Sequence, residues 1–428
     1  MSDRPRRRPA VRKTALGALL GIAMGLSNVL GYLVVMLLSR PLGPAAFGGY
    51  TALSTYGVLL SIPAGVFQVV VARRLSGNDS NHTNNSTHGD TGNPATSAIG
   101  PALLIGAGCF VLTAAIAPLL SRLFHLPSAA PVLLGAMLVP MMVTGCFQGM
   151  LLGRHRLRAL SALYLVTALT RVVAAVVCAA RGFGVTQVFA AMLVAGSVSA
   201  LFGAWLCRAD LRSLPMTGHE LAGEMLRSNS TLAAYIALTN VDVLFARHFL
   251  TPHDSGGYAL ASTFGRAVCW GTQFVALLVV PRMQRHGATR ALLRASAVVF
   301  GIGVVGFGIV AISPSGWITV AGGADYREFG GLALLCVLLG IAWAVAQVWL
   351  FSEMSTNTGA LGALTWGVIV AECLALALWW HDSPEQIAIV CLVGALVIAL
   401  GGLLRVTLQH RTRIELTEES AVAVADRA

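Results

Sequence analysis

Long apolar runs separated by short polar seams recur along the whole chain. A run of about 20 apolar residues crosses the ~30 Å hydrocarbon layer as an α-helix, because each residue rises about 1.5 Å. The pattern predicts about twelve such helices, near residues 15–38, 50–72, 98–120, 130–152, 159–180, 184–206, 229–250, 258–281, 291–313, 329–352, 360–380 and 386–408. The seams, among them SRPLGP, RHRLR, RGFG and PRMQRHGATR, are polar or turn-forming, as required where backbone groups leave hydrocarbon and meet water. The short alternating segments of a membrane β-barrel do not occur. The predicted fold class is an all-α polytopic membrane protein.

The pattern also repeats on a larger scale. LGPAAFGGY at 42–50 returns as LTPHDSGGY at 250–258, an offset of 208 residues that also aligns Leu30 with Leu238, Val35 with Val243 and Arg74 with Arg282. Each copy is read as an external turn between the first two helices of a six-helix half. Pro fixes φ just past the helix, paired Gly allows tight re-entry, and Tyr sits at the interface. Six helices per unit is an even number, so the two halves are predicted to be parallel and related by an axis along the membrane normal. The implied organisation is a basic tail (1–14), an N-terminal lobe (15–206), a linker with an amphipathic helix (207–228), a C-terminal lobe (229–408) and a second tail (409–428). Within the first lobe, residues 75–97 are low-complexity and polar and read as a disordered cytoplasmic loop.

Composition and charge sharpen this picture. Hydrophobic residues make up 56% of the 428 and charged ones 11%, which excludes a soluble globular domain. The tails and the even-numbered loops hold 22 of the 29 Lys and Arg, while the opposite face keeps Arg40, Arg122, Arg181 and Arg327. Cations resist translocation, so both termini are placed in the cytoplasm. Topology and attraction to anionic membrane lipid account for the net charge of +11 without nucleic acid. The eight cysteines are scattered singly and the ten histidines never pair at i, i+4, so neither a metal site nor a cofactor is expected.

The stretches LLSRPLGPAAFGGY and NVDVLFARHFLTPHDSGGYALASTFGR resemble the polysaccharide-transport, Wzx-like branch of the multidrug, oligosaccharidyl-lipid and polysaccharide flippase superfamily. That resemblance implies two six-helix lobes around a central cavity that opens alternately to either side. It also implies a cargo, polyprenyl-diphosphate-linked oligosaccharide moved to the external leaflet, and partners such as a polysaccharide polymerase and glycosyltransferases in the bacterial cell membrane. No enzymatic activity is implied.

The chemistry of such a cargo singles out few residues. A diphosphate crossing a bilayer needs cations in a wet path, and Arg suits phosphate through its planar fork of donors. Arg171, Arg266, Arg247 and Arg40 are the substrate-binding candidates, with Asn28, Asn240 and Gln273 as polar lining and Gln68, Gln148 and Gln347 as either path or interhelical glue. Arg247 is expected to snorkel to the interface. Asp242 and Arg266 lie at equal depth on adjacent helices and are expected to meet, as a structural pair or with Arg266 shared with phosphate. Asp242 and Glu372 are the proton-coupling candidates. Gly17, Gly21 and Gly25 read as a close-packing face, and Pro63 and Pro140 as bends inside helices.

Competing classes remain open. A multidrug exporter shares the fold, and a scaffold that has lost transport cannot be told apart by sequence. A polyprenyl-sugar glycosyltransferase needs acidic residues in its first external loop, and residues 39–49 hold none.

Overall fold

The computed structural model describes residues 8–81, 99–208, 230–272, 288–356 and 360–425, and all the regular structure in them is helical. Twelve long segments follow in order once short breaks are bridged. Arg8–Leu60 is two helices merged across Gly43, α1 (8–42) and the first part of α2 (44–81), which breaks at Ser61 and resumes as Ile62–Asn81. Next come α3 (99–124), bent by 61° between Ile99–Ala115 and Ala117–Phe124, then α4 (Ala129–Gly153), α5 (Leu157–Arg181) and α6 (Val185–Cys207). The second series is α7 (230–249), broken between Leu238 and Val241, α8 (Pro252–Gly271), α9 (Ala288–Ile312), α10 (Gly330–Thr356), α11 (Ala360–Leu378) and α12 (Pro384–Ala425).

Among the described residues, eight stretches are long and apolar enough to cross a membrane by themselves, nine with the bent pair, and the first of them, Gly17–Leu60, spans Gly43 and so runs through one predicted helix into the next. Those that fall short do so for a physical reason. The second part of α2 is short, α7 is interrupted, and α7 and α8 carry Asp242, Arg247 and Arg266.

The chain divides into two compact units, residues 1–229 and 230–428. Inside the first, α4 packs on α2, α3 and α6, while α1 packs along α5 and α5 along α6. Inside the second, α10 packs on α8, α9 and α12, α7 on α11, and α11 on α12. These are the same pairings shifted by six helices. Their tightest crossings use the same device. Gly145, Gly149 and Gly153 of α4 face Ala64, Gln68 and Ala72 of α2, where an added Cβ would come within 2.6–2.8 Å of the facing carbonyl oxygens. Gly265 of α8 and Gly340 of α10 lie against each other's helix backbone. In lipid no hydrophobic force drives helices together, so close backbone approach of this kind supplies the packing energy. Apolar side chains such as Leu104, Leu201, Val305 and Ile312 cover exposed helix surface, as suits a multi-pass membrane protein.

Several details differ from the sequence reading. Gly43 has φ 65° and ends α1, but Pro44 opens the next helix rather than closing the last. Likewise Thr251 caps α8, its Oγ1 accepting the Asp254 N–H at 3.2 Å, and Pro252 fills the first turn, where its missing N–H costs nothing. This starts α8 six residues earlier than predicted. The paired Gly lies inside the helix, where Gly257 makes room for the Phe329 ring, and Tyr258 is fully buried instead of interfacial. Pro63 begins the second part of α2 after Ser61, whereas Pro140 does sit inside α4. Gly17, Gly21 and Gly25 have nothing within 4 Å of an added Cβ, so they pack against no part of the described chain. Helix α2 runs on to Asn81 inside the supposed loop, and α12 continues to Ala425 through the supposed tail. The rest of the 75–97 loop and nearly all of the linker lie outside the described residues.

Candidate functional site

The charged core of the second unit is built on the break in α7. Thr239 and Asn240 leave the helix, with Asn240 Nδ2 donating back to Ile236 O at 2.7 Å and to Thr239 Oγ1 at 3.1 Å. The break ends one half-helix at a carbonyl-rich, negative pole and starts another at a positive pole. Each pole meets the opposite charge. The Thr239 carbonyl accepts from Arg266 Nε at 3.1 Å and Nη2 at 3.0 Å, while Asp242 stands in the first turn of the second half. Discontinuous helices with such charge-matched ends recur in transporter binding sites.

Asp242 and Arg266 meet as expected, Nη2 to Oδ1 at 2.9 Å, with side-chain exposures of 0% and 14%. Arg266 Nη1 also donates to Ser262 Oγ at 3.2 Å, and its guanidinium lies 6.0 Å from the Trp343 ring centre. Tyr258, the repeated tyrosine, donates to Asp242 Oδ2 at 3.0 Å. Nearly all of the guanidinium donors are therefore used inside the protein.

Glu372, on α11, is buried near Asp242, and neither of its carboxylate oxygens has a hydrogen-bond partner. Room for it comes from α12, where a Cβ at Gly394 would overlap Glu372 Oε1. An ionised carboxylate without donors in such a place costs several kcal/mol. The cluster of Asp242, Glu372 and Arg266 thus brings two acids to one cation.

In the first unit Arg171 sits on α5, half-buried, with the Tyr50 phenol as its electrostatic neighbour and no acid paired with it among the described residues. Tyr50 and Tyr258 are the same position of the repeated phrase, and each lies near a charged residue of its own unit, Tyr50 in the field of Arg171 and Tyr258 hydrogen-bonded to Asp242.

The other predicted site residues scatter. Arg247 does not snorkel: it is 4% exposed and donates to Ser255 Oγ at 2.9 Å, because α8 starts early enough to present Ser255 beside it. Arg40 and Asn28 are exposed on α1, Asn240 is absorbed in the α7 break, and Gln273 lies outside the described residues. Among the glutamines, Gln68 donates to Tyr164 Oη at 2.8 Å, an interhelical bond. No group of His, Cys, Asp and Glu able to hold a metal occurs among the described residues.

Known proteins share both the sequence pattern and the architecture. A family model described as polysaccharide biosynthesis protein matches residues 16–286. The chain belongs to this family. No curated protein matches this chain in sequence. Its structure is similar to an inward-facing multidrug resistance MATE family transporter of the MOP superfamily, with TM-score 0.70 and 16% identity over 92% of this chain and 96% of that one. It is also similar to the lipid II flippase MurJ in an inward closed conformation, with TM-score 0.69 and 12% identity over 91% and 87%. A MOP superfamily transporter from Pyrococcus furiosus, described by the reversed polarity of its binding pocket, matches with TM-score 0.59 and 15% identity over 93% and 95%. The family member described here accordingly has the fold of these membrane transporters.

Proposed function

We propose that this protein is a flippase that carries polyprenyl-diphosphate-linked oligosaccharide from the cytoplasmic to the external leaflet by alternating access of its two units, for cell-surface polysaccharide synthesis. On this reading it lies in the bacterial cell membrane with both termini in the cytoplasm, and glycosyltransferases and a polysaccharide polymerase supply and consume its cargo. Family membership supports the polysaccharide context. The observation that carries the anionic cargo is Arg171, a cation on a membrane-spanning helix without an acid partner among the described residues. A charge at that depth costs a few kcal/mol unless it is answered, and a lipid diphosphate answers it.

Arg266 has a different role. Bound to Asp242, Thr239 and Ser262, it holds the second unit's core instead of the cargo. Glu372, which lacks donors, is the proton carrier of the cycle, with Asp242 as its charged neighbour.

The test is translocation of a fluorescent polyprenyl-diphosphate oligosaccharide in reconstituted vesicles. Arg171→Ala abolishes transport, Arg171→Lys keeps part of it because it retains charge but loses the fork, and Arg181→Ala, at the exposed end of α5, is nearly silent. Normal translocation by Arg171→Ala refutes the anionic-cargo role. The competing reading is a multidrug exporter of the same fold, favoured by the MATE likeness. Neighbouring genes separate the two: glycosyltransferases and a polymerase accompany a flippase, a drug-responsive regulator an exporter.

A further inference from the structure

A third buried carboxylate lies in the same unit. Glu353, near the end of α10, is 3% exposed. Its Oε1 accepts the backbone N–H of Leu361 and its Oε2 that of Gly362, both at 2.9 Å, so it caps the first turn of α11 from the preceding helix. Arg405 of α12 donates to the same Oε1. One side chain thus ties three helices at one level.

The level matters because of what stands above it. From Leu361 up α11 to Glu372 is eleven residues, and from Arg405 up α12 to Gly394 is also eleven, about 16 Å in each case. The helices run in opposite directions along the chain, yet counted from Glu353 the notch and the carboxyl group it receives are at the same height. An intermediate contact keeps the same register: a Cβ at Gly401, four residues above Arg405, would lie 2.7 Å from Leu364 Cδ2, three residues above Leu361. A slip of one residue, about 1.5 Å, would place the Cβ of Val393 or Ala395 near the Glu372 level instead of the bare α-carbon of Gly394.

We propose that Glu353 is a register pin: by holding the start of α11 and Arg405 of α12 on one carboxylate, it sets the Gly394 notch opposite Glu372. Glu353 is a positioning residue and touches no cargo. The proposal rests on the reading of Glu372 as the proton carrier for its functional meaning, and on geometry alone for the register.

The groups facing Glu372 are Asp242 of α7, itself paired with Arg266 of α8, Cys391 of α12 and the adjoining Cys373. None of these groups is itself removed when Glu353 or Arg405 is replaced, so a change in Glu372 chemistry reports the register.

Two readouts on the full-length protein test the pin. The first is disulfide formation between cysteines introduced as Leu364→Cys and Gly401→Cys, followed by mass spectrometry. The second is the pH profile of Glu372 modification by a hydrophobic carbodiimide, which adds to the protonated carboxyl group, so labelling is lost as pH rises. Glu353→Ala is expected to slow the disulfide several-fold and to move the labelling profile by about one pH unit, the size of shift that changed desolvation readily imposes. Arg405→Ala gives the same changes in smaller measure, and Arg405→Lys restores both. If Glu353→Ala does not accumulate, the comparison of Arg405→Ala with Arg405→Lys decides. A lowered melting temperature with both readouts unchanged overturns the proposal, and so does a slowed disulfide with an unmoved labelling profile. Glu372→Gln with intact proton-driven transport sinks the proton-carrier reading instead, and leaves the disulfide arm to decide the pin.

Discussion

Removing the Arg266 guanidinium should damage the second unit far more than its single ion pair suggests. In Arg266→Met the Thr239 carbonyl loses two donors, Ser262 loses one, and Asp242 keeps Tyr258 and its local backbone donors but no cation. Asp242 is 0% exposed, and breaking a buried pair from one side costs about 3–5 kcal/mol. A unit of about 200 residues loses roughly 2–4 °C of Tm per kcal/mol, which gives a fall of about 10 °C. Replacing both partners, as Arg266→Met with Asp242→Leu, removes the stranded charge and should recover most of the loss, since apolar replacement of a whole buried pair is often neutral. The assay is thermal unfolding of detergent-purified protein by tryptophan fluorescence, for which Trp343 beside Arg266 is a local probe. An Arg266→Met protein that melts with the wild type, or a double variant no more stable than the single one, would refute the reasoning.

Three further outcomes are expected. Gly149→Val sets a side chain against the Gln68 backbone, 2.7 Å from its carbonyl, and should cost about 1–3 kcal/mol of helix packing, read as a lower melting temperature of the purified protein. Reporter fusions at residue 85 should show a cytoplasmic location, and an external signal there sinks the proposed topology. An experimental structure should superpose the two units by rotation about the membrane normal, and an axis in the membrane plane refutes the parallel repeat.

The repeated phrase was legible because turn chemistry is local: a proline at a helix boundary leaves a mark in both copies, although it opens the following helix rather than closing the preceding one. The Asp242–Arg266 contact was legible for a related reason, since two residues equally far from a tight turn lie at equal depth on antiparallel neighbours. The α7 break was not, because SNSTLAAYIALTNVDVLF reads as one continuous helix until Arg266 is seen to draw out the Thr239 carbonyl. Small-residue spacing misled in the opposite sense. Gly17, Gly21 and Gly25 share the i, i+4, i+8 pattern of Gly145, Gly149 and Gly153, yet the second set alone meets a partner helix, and spacing carries no information about what stands opposite. Glu353 is not among the residues that the sequence singles out. The signal available was its position: a carboxylate is disfavoured at the negative C-terminal pole of its own helix, so one placed there answers to something else.

The two units share pairings, crossing devices and a tyrosine, but the charges those frameworks hold are opposite in kind. Among the described residues the first keeps Arg171 without an acid partner, and the second gathers Asp242 and Glu372 about Arg266. The shared pairings form one chassis, and the two units fill it with unlike contents. A chain assembled from two copies of either half would be expected to fold as each half does now, yet it would carry one polarity twice and lack the other. In this protein the halves are structural siblings that cannot stand in for one another.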